Sequence, residues 1–212
     1  GKSLSSRGSE LSNSFYQLEV LNGHEVIDAT FPLFEEKLSG SGYNPLLPAQ
    51  LEIFQINIGK LCNQTCAHCH VDAGPDRKEE QMSKELLEVC LGIIKSTPSI
   101  HTVDITGGAP EMNPNFRWFV QEVRKLGLKV IDRCNLTIIV SNHRYLDLPT
   151  FFAEQEINLV SSLPYYNKLR TDAQRGDGVF EDSIRALKML NEVGYGLEST
   201  GLQLHLVHNP SG

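Results

Sequence analysis

The sequence predicts an α/β fold, with parallel strands joined by helices into a partial (β/α)6 barrel that stops after its fifth strand. Two observations carry this expectation. From residue 51 onward, strand-like and helix-like patterns alternate, and repeated β-α units imply parallel strands linked by right-handed crossovers. Each strand also keeps one polar parity: Gln55 and Asn57; Thr102, Asp104 and Thr106; Arg133 and Asn135; Asn158 and Ser162; Gln203 and His205. Side chains alternate faces at period two, so these residues share one surface while their apolar neighbours lie under the helices. A closed eight-stranded barrel fills its interior with bulky branched side chains, so a polar interior indicates an incomplete barrel that holds a polar ligand. The competing reading is an ordinary sheet with one wet face, which parallel sheets rarely show.

Along the chain, residues 1–50 read as a flexible N-terminal extension and residues 51–212 as the core domain. Residues 1–14 carry six serines and little apolar material, the composition of a disordered tail. A short helix is expected over 31–38, with Thr30 as N-cap, Pro32 in its first turn and Gly40 just past its end. Strands are expected at 51–58, 101–106, 128–134, 157–163 and 202–208, and helices at 83–96, 114–126, 148–155 and 180–193. In the second of these helices, Asn113 reads as the N-cap and Pro114 as N1. Phe116, Phe119, Val120, Val123 and Leu126 form its apolar stripe, and Gly127 is its stop.

Composition excludes several functions. A chain of 212 residues with 40% apolar content buries one sizeable core, and a net charge of −7 argues against a nucleic-acid partner. No apolar run approaches the roughly 20 residues that span a bilayer. Five cysteines are an odd and sparse set for disulfides, so the thiols are expected reduced, in a cytoplasm or an organellar stroma or matrix.

Three of those cysteines, Cys62, Cys66 and Cys69, fall within eight residues, directly after the first strand. Thiolates are soft ligands for zinc, Cu(I) and iron–sulfur clusters, and cuboidal clusters take one Cys per iron. Three thiolates would leave the fourth iron of a [4Fe–4S] cube open to a small molecule. A tetrahedral zinc site completed by His68 or His70 competes, but zinc modules bring their ligands in two pairs, and Cys90 and Cys134 form no second pair. One β-α unit later stands Thr106-Gly107-Gly108-Ala109-Pro110-Glu111, where paired glycines allow close backbone approach to a ligand. By parity, Cys134 and Asp132 face away from Arg133 and Asn135, which makes Cys134 a small packed residue under a helix.

The C-x3-C-x2-C spacing resembles that of radical S-adenosylmethionine (SAM) enzymes. That resemblance implies a [4Fe–4S] cluster on Cys62, Cys66 and Cys69, with SAM on its open iron. It places His68 beside the adenine and Gly107 and Gly108 at the methionine amino group, with Glu111 as the nearby acid. Asn135, Ser161 and Ser162 then suit the ribose hydroxyls and the carboxylate. It also implies a one-electron donor such as a flavodoxin or ferredoxin.

The run from Asn57 to Arg77 more narrowly resembles the radical SAM enzymes of arsenosugar biosynthesis. So do Gly107-Gly-Ala-Pro-Glu-Met-Asn-Pro114, Asp132-Arg-Cys-Asn-Leu-Thr137 and Gln174-Arg-Gly176. This implies transfer of a 5′-deoxyadenosyl group to a small-molecule substrate, a trivalent methylated arsenical, with Arg133, Cys134 and Arg175 as candidates for contacting it. That family tends to carry a Cys after Pro164, where this chain has Tyr165, and it continues past the fifth strand. The alternatives are a radical SAM enzyme acting on another organic substrate, or an inactive zinc- or SAM-binding fragment.

Overall fold

The computed structural model describes residues 3–22, 34–43, 45–66, 69 and 71–208. Five strands, β1 (Ile53–Asn57), β2 (Thr102–Thr106), β3 (Lys129–Asp132), β4 (Asn158–Ser162) and β5 (Leu204–Val207), form one parallel sheet in sequential order. Helices α1 (Ser14–Asn22) and α2 (Phe34–Ser41) precede it. Helix α3 (Lys84–Ser96) follows β1, and α4 (Phe116–Lys125) follows β2. Helices α5 (Ile138–Ser141) and α6 (Leu148–Glu154) follow β3, while α7 (Lys168–Arg175) and α8 (Val179–Glu192) follow β4. Sequential order means every crossover steps the same way, as in a barrel and unlike a doubly wound sheet. Among the described residues, no helix is long and apolar enough to cross a membrane.

The polar parity survives as a face. Register pairs Gln55 with Asp104, Asp104 with Ile131 and Ile131 with Asn158, so these side chains project to the same side. There Arg133 donates to both Asp104 oxygens, Nε to Oδ1 at 2.9 Å and Nη2 to Oδ2 at 2.7 Å, and Gln55 Nε2 donates to Oδ2 at 2.8 Å. The opposite side is the core, where Ile56, Val103, Ile105, Val130 and Leu159 lie buried under α3, α4, α6 and α8. Phe116 of α4 meets Phe151 and Phe152 of α6 at ring-centroid distances of 6.2 and 6.5 Å.

Several boundaries differ from expectation. Asn113 does not cap α4, which begins at Phe116. Its amide instead donates to the carbonyls of Ile58 and Met82, at 2.8 and 3.1 Å, satisfying two backbone acceptors where β1 ends and α3 approaches. Residues 110–112 form a 3-10 turn ahead of the helix. Helix α2 runs through Gly40 to Ser41, and the expected cap at Thr30 and Pro32 lies outside the described residues. Helices α1, α5 and α7 were not anticipated; α7 is short and polar, and its Asn167 side chain accepts from the Arg170 N–H. Residues 5–12, expected to be flexible, form two 3-10 turns, and the Ser3 hydroxyl donates to Asp76 Oδ2 at 2.8 Å.

A candidate cofactor site at the carboxyl edge of the sheet

The site grows from the segment between β1 and α3, which folds back on itself. Gly59 bridges Gln81, Leu61 bridges Gly74, and the Cys62 N–H donates to the Gly74 carbonyl at 3.2 Å. Asp72, buried and at φ 53°, turns the chain after the third cysteine and is held by Arg77 at 3.2 Å. A non-glycine residue in that region is strained and persists only where its surroundings over-determine it.

Gly107 and Gly108 bring this segment flush with the end of β2. The Gly108 N–H donates to the Gly59 carbonyl at 2.9 Å, and the Ala109 N–H to the Leu61 carbonyl at 2.8 Å. A Cβ on Gly107 would stand 2.5 Å from the Gly59 oxygen, and one on Gly108 would stand 2.6 Å from the Leu61 oxygen. The close approach that the glycines allow is therefore, first of all, that of the cysteine segment itself.

Cys62, Cys66 and Cys69 line one cavity of about 140 Å³ with Gln64, Gly107, Gly108, Asn135 and Arg175. The sulfurs receive N–H donors: Gln64 N to Cys62 Sγ at 3.4 Å, Asn135 Nδ2 to Cys62 Sγ at 3.8 Å, and Ala73 N to Cys69 Sγ at 3.2 Å. Burial pushes the Cys62 thiol up to about 11; the Gln64 backbone N–H opposes the rise, and Cys66, Cys69 and Glu111 add to it. Three thiols lining one cavity repel as thiolates unless a cation joins them. The donor set, the cavity and the N–H groups aimed at sulfur therefore fit a thiolate-bound metal cluster.

Polar side chains that the sequence reading missed tie this loop to the top of β3. Asn63 Nδ2 and Gln64 Nε2 donate to the Thr137 hydroxyl at 2.9 and 3.0 Å, and Asn135 Nδ2 donates to Asn63 Oδ1 at 2.8 Å. Arg175, only 8% exposed, donates to Gln64 Oε1 at 3.0 Å and to the Ser162 carbonyl. The only sequence signal for Asn63 and Gln64 was their place between ligand cysteines.

The remaining candidates separate. Arg133 lies on the open face of the sheet and is not among the residues lining the cysteine cavity. Glu111, Cys134 and Ser161 are buried and likewise absent from that lining. Ser161 sits on the helix-facing side of β4 with an unpartnered hydroxyl, because its parity is that of Leu159. Ser162 is exposed, and its carbonyl receives Arg175. His68 lies outside the described residues.

Comparison with solved structures now bears on this geometry. Streptococcus suis SuiB bound to S-adenosylmethionine matches at TM-score 0.55 and 15% identity, over 90% of this chain and 40% of that one. The protein anSMEcpe with bound AdoMet matches at TM-score 0.58 and 17% identity, over 74% and 43%. Methylornithine synthase (PylB) matches at TM-score 0.51 and 16% identity, over 91% and 67%. The fold these structures share with the chain is a partial β/α barrel. In that barrel the cysteine loop follows β1 and the Gly107–Gly108 pair follows β2, both at the carboxyl ends of parallel strands, where such folds place their sites. The chain spans less than half the length of the SuiB and anSMEcpe chains it matches. No family model matches it, and no curated protein does.

Proposed function

We propose that this chain is the core of a radical SAM enzyme that binds a [4Fe–4S] cluster through Cys62, Cys66 and Cys69 and SAM beside Gly107 and Gly108. Its reaction transfers the 5′-deoxyadenosyl group to a trivalent methylated arsenical. Overall, the C5′–sulfur bond of SAM breaks and a C5′–arsenic bond forms; arsenic is oxidised from As(III) to As(V), and the sulfonium is reduced to the thioether of methionine, which leaves. One observation carries the reading: three cysteines, the glycine pair and Asn135 line a single cavity at the carboxyl edge of a partial radical SAM barrel. When bound, the reduced cluster supplies the electron that breaks a carbon–sulfur bond of SAM, yielding methionine and a 5′-deoxyadenosyl radical. That electron comes from a donor of the flavodoxin or ferredoxin class.

The chain's own residues orient and tune. The N–H donors on Cys62 and Cys69 stabilise the more negative, reduced sulfurs and so raise the potential. Arg175 holds Gln64 and the end of β4 together over the cavity, and so positions the cysteine loop against β4. Arg133, fixed by Asp104 on the open face, presents a positive charge to an anionic group of the substrate or of SAM. Support for the arsenical is the resemblance of the runs 57–77, 107–114 and 132–137 to arsenosugar-biosynthesis enzymes. Cys134 is buried and does not line the cysteine cavity, so this reading does not rely on it to hold the arsenical.

Anaerobic reconstitution with iron and sulfide should give a brown protein with about four irons per chain. Dithionite and SAM should then release 5′-deoxyadenosine, and a trivalent methylated arsenical should divert it into an adenosyl–arsenic product detected by mass spectrometry. A colourless chain holding one zinc would overturn the reading. Release of 5′-deoxyadenosine with no arsenic–carbon product would instead assign the core to another organic substrate.

A further inference from the structure

On the helix side of β3, Glu111, Asp132 and Cys134 offer two carboxylates and a thiol whose ligand atoms all lie within 4.8 Å of one another. They are 6%, 0% and 2% exposed. None of the four carboxylate oxygens receives a hydrogen bond from outside the cluster; the contacts they make are with one another and with the Cys134 thiol. Buried acids left in this state demand either protons or a cation. Arg175 is the cation whose charge reaches Cys134, yet its hydrogen bonds go to Gln64 and the Ser162 carbonyl. Three ionised ligands beside one guanidinium leave two negative charges, the complement of one divalent ion.

We propose that Glu111, Asp132 and Cys134 form a second metal site, separate from the cluster cysteines, that takes one divalent cation of borderline softness such as Zn2+ or Co2+. Tetrahedral zinc–sulfur and zinc–oxygen bonds of roughly 2.0–2.3 Å put the ligands of one ion about 3.3–3.7 Å apart, so a cluster within 4.8 Å closes on an ion by side-chain shifts of about 1 Å. Mg2+ and Ca2+ favour all-oxygen shells and Cu(I) favours sulfur, so the mixed set selects the borderline ions.

The three ligands also sit on rigid supports. Asp132 ends β3, Cys134 lies just beyond it, and Glu111 belongs to the 3-10 turn Pro110–Met112 that follows the glycine pair. An ion here pins that turn to β3 and steadies the glycines under the cysteine loop. A pocket of about 260 Å³ lined by Glu111, Asn113, Arg117, Arg144 and Tyr145 borders the site on its Glu111 side. The unpartnered Ser161 hydroxyl lies on the same sheet face one strand over and is the nearest candidate for a fourth ligand.

Co2+ tests the assignment. Titrated into the chain carrying Cys62→Ala, Cys66→Ala and Cys69→Ala, it should bind at about one ion per chain with a near-ultraviolet cobalt–thiolate charge-transfer band. Adding Cys134→Ala should abolish that band, and Asp132→Asn should weaken binding about tenfold or more. A folded triple variant that holds no cobalt, or a band that survives Cys134→Ala, overturns the proposal and leaves a proton-sharing cluster. Should the triple variant lose its native circular dichroism, the unsubstituted chain is loaded with iron and sulfide and then with Zn2+. Zinc should then be about one per chain and fall at least tenfold in Cys134→Ala; equal zinc in both overturns the proposal. Neither readout involves turnover of SAM, so failure of the proposed reaction leaves this test intact.

Discussion

Gly108 shows how a single hydrogen in place of a methyl positions a cofactor loop. Its missing Cβ leaves room for the Leu61 and Lys60 carbonyls, which are backbone atoms and cannot rotate away. Gly108→Ala should push the cysteine loop off β2, cost about 1–3 kcal/mol in urea unfolding, and lower iron retained after reconstitution. Glu111 makes a second prediction, about the metal-free chain. Burial raises its carboxyl from 4.5 to about 6, and burial followed by Glu111's charge raises Asp132 as well. A carboxyl raised in the folded state binds more protons there than in the unfolded chain, so stability is full below about pH 4.5 and is lost as pH climbs through about 6. The loss from Glu111 is on the order of 2 kcal/mol. Melting temperature in chelator should therefore fall between pH 5 and 7.5, and Glu111→Gln should flatten that slope.

Elements were legible wherever periodicity ran long, and blurred wherever a side chain had a choice of partner. The stripe of Phe116, Phe119, Val120, Val123 and Leu126 announced α4; its first four residues are buried, while Leu126 caps the helix end and is 37% exposed. Phe116 closes on Phe151 and Phe152, so Phe116→Ala should cost about 3–5 kcal/mol by leaving a cavity between α4 and α6, read as a lowered denaturation midpoint. The start of α4 was misplaced because Asn113 can cap a helix or satisfy distant carbonyls, and only packing decides between them. It bonds Ile58 and Met82, residues that the sequence separates from it by dozens of positions. Helix α7 escaped notice because it buries little beyond Thr171 and Arg175 and so shows no apolar stripe. Its reason for existing is tertiary: it delivers Arg175 to Gln64.

At the scale of the whole molecule, the sheet has β1 at one edge and β5 at the other. Among the described residues no strand pairs the outer edge of β5, where Leu206 and Val207 are 38% and 42% exposed, and an unpaired apolar edge recruits other strands. The chain should self-associate with rising concentration, and Val207→Lys should lower the average mass in light scattering. The alternation of β and α patterns, the polar parity of the strands, the cysteine triad and the glycine pair were all written in the chain. Each of these depends on a local period or a short spacing, which a linear string records directly. Tertiary structure alone decided which polar groups meet: Asn63 and Gln64 with Thr137, Arg175 with Gln64, and Glu111 with Asp132 and Cys134. Parity already sent Asp132 and Cys134 to the helix side, but the fold had to carry the turn after β2 over the end of β3 before Glu111 could join them. Such meetings depend on how crossovers of different length stack on one sheet, and no local pattern encodes that.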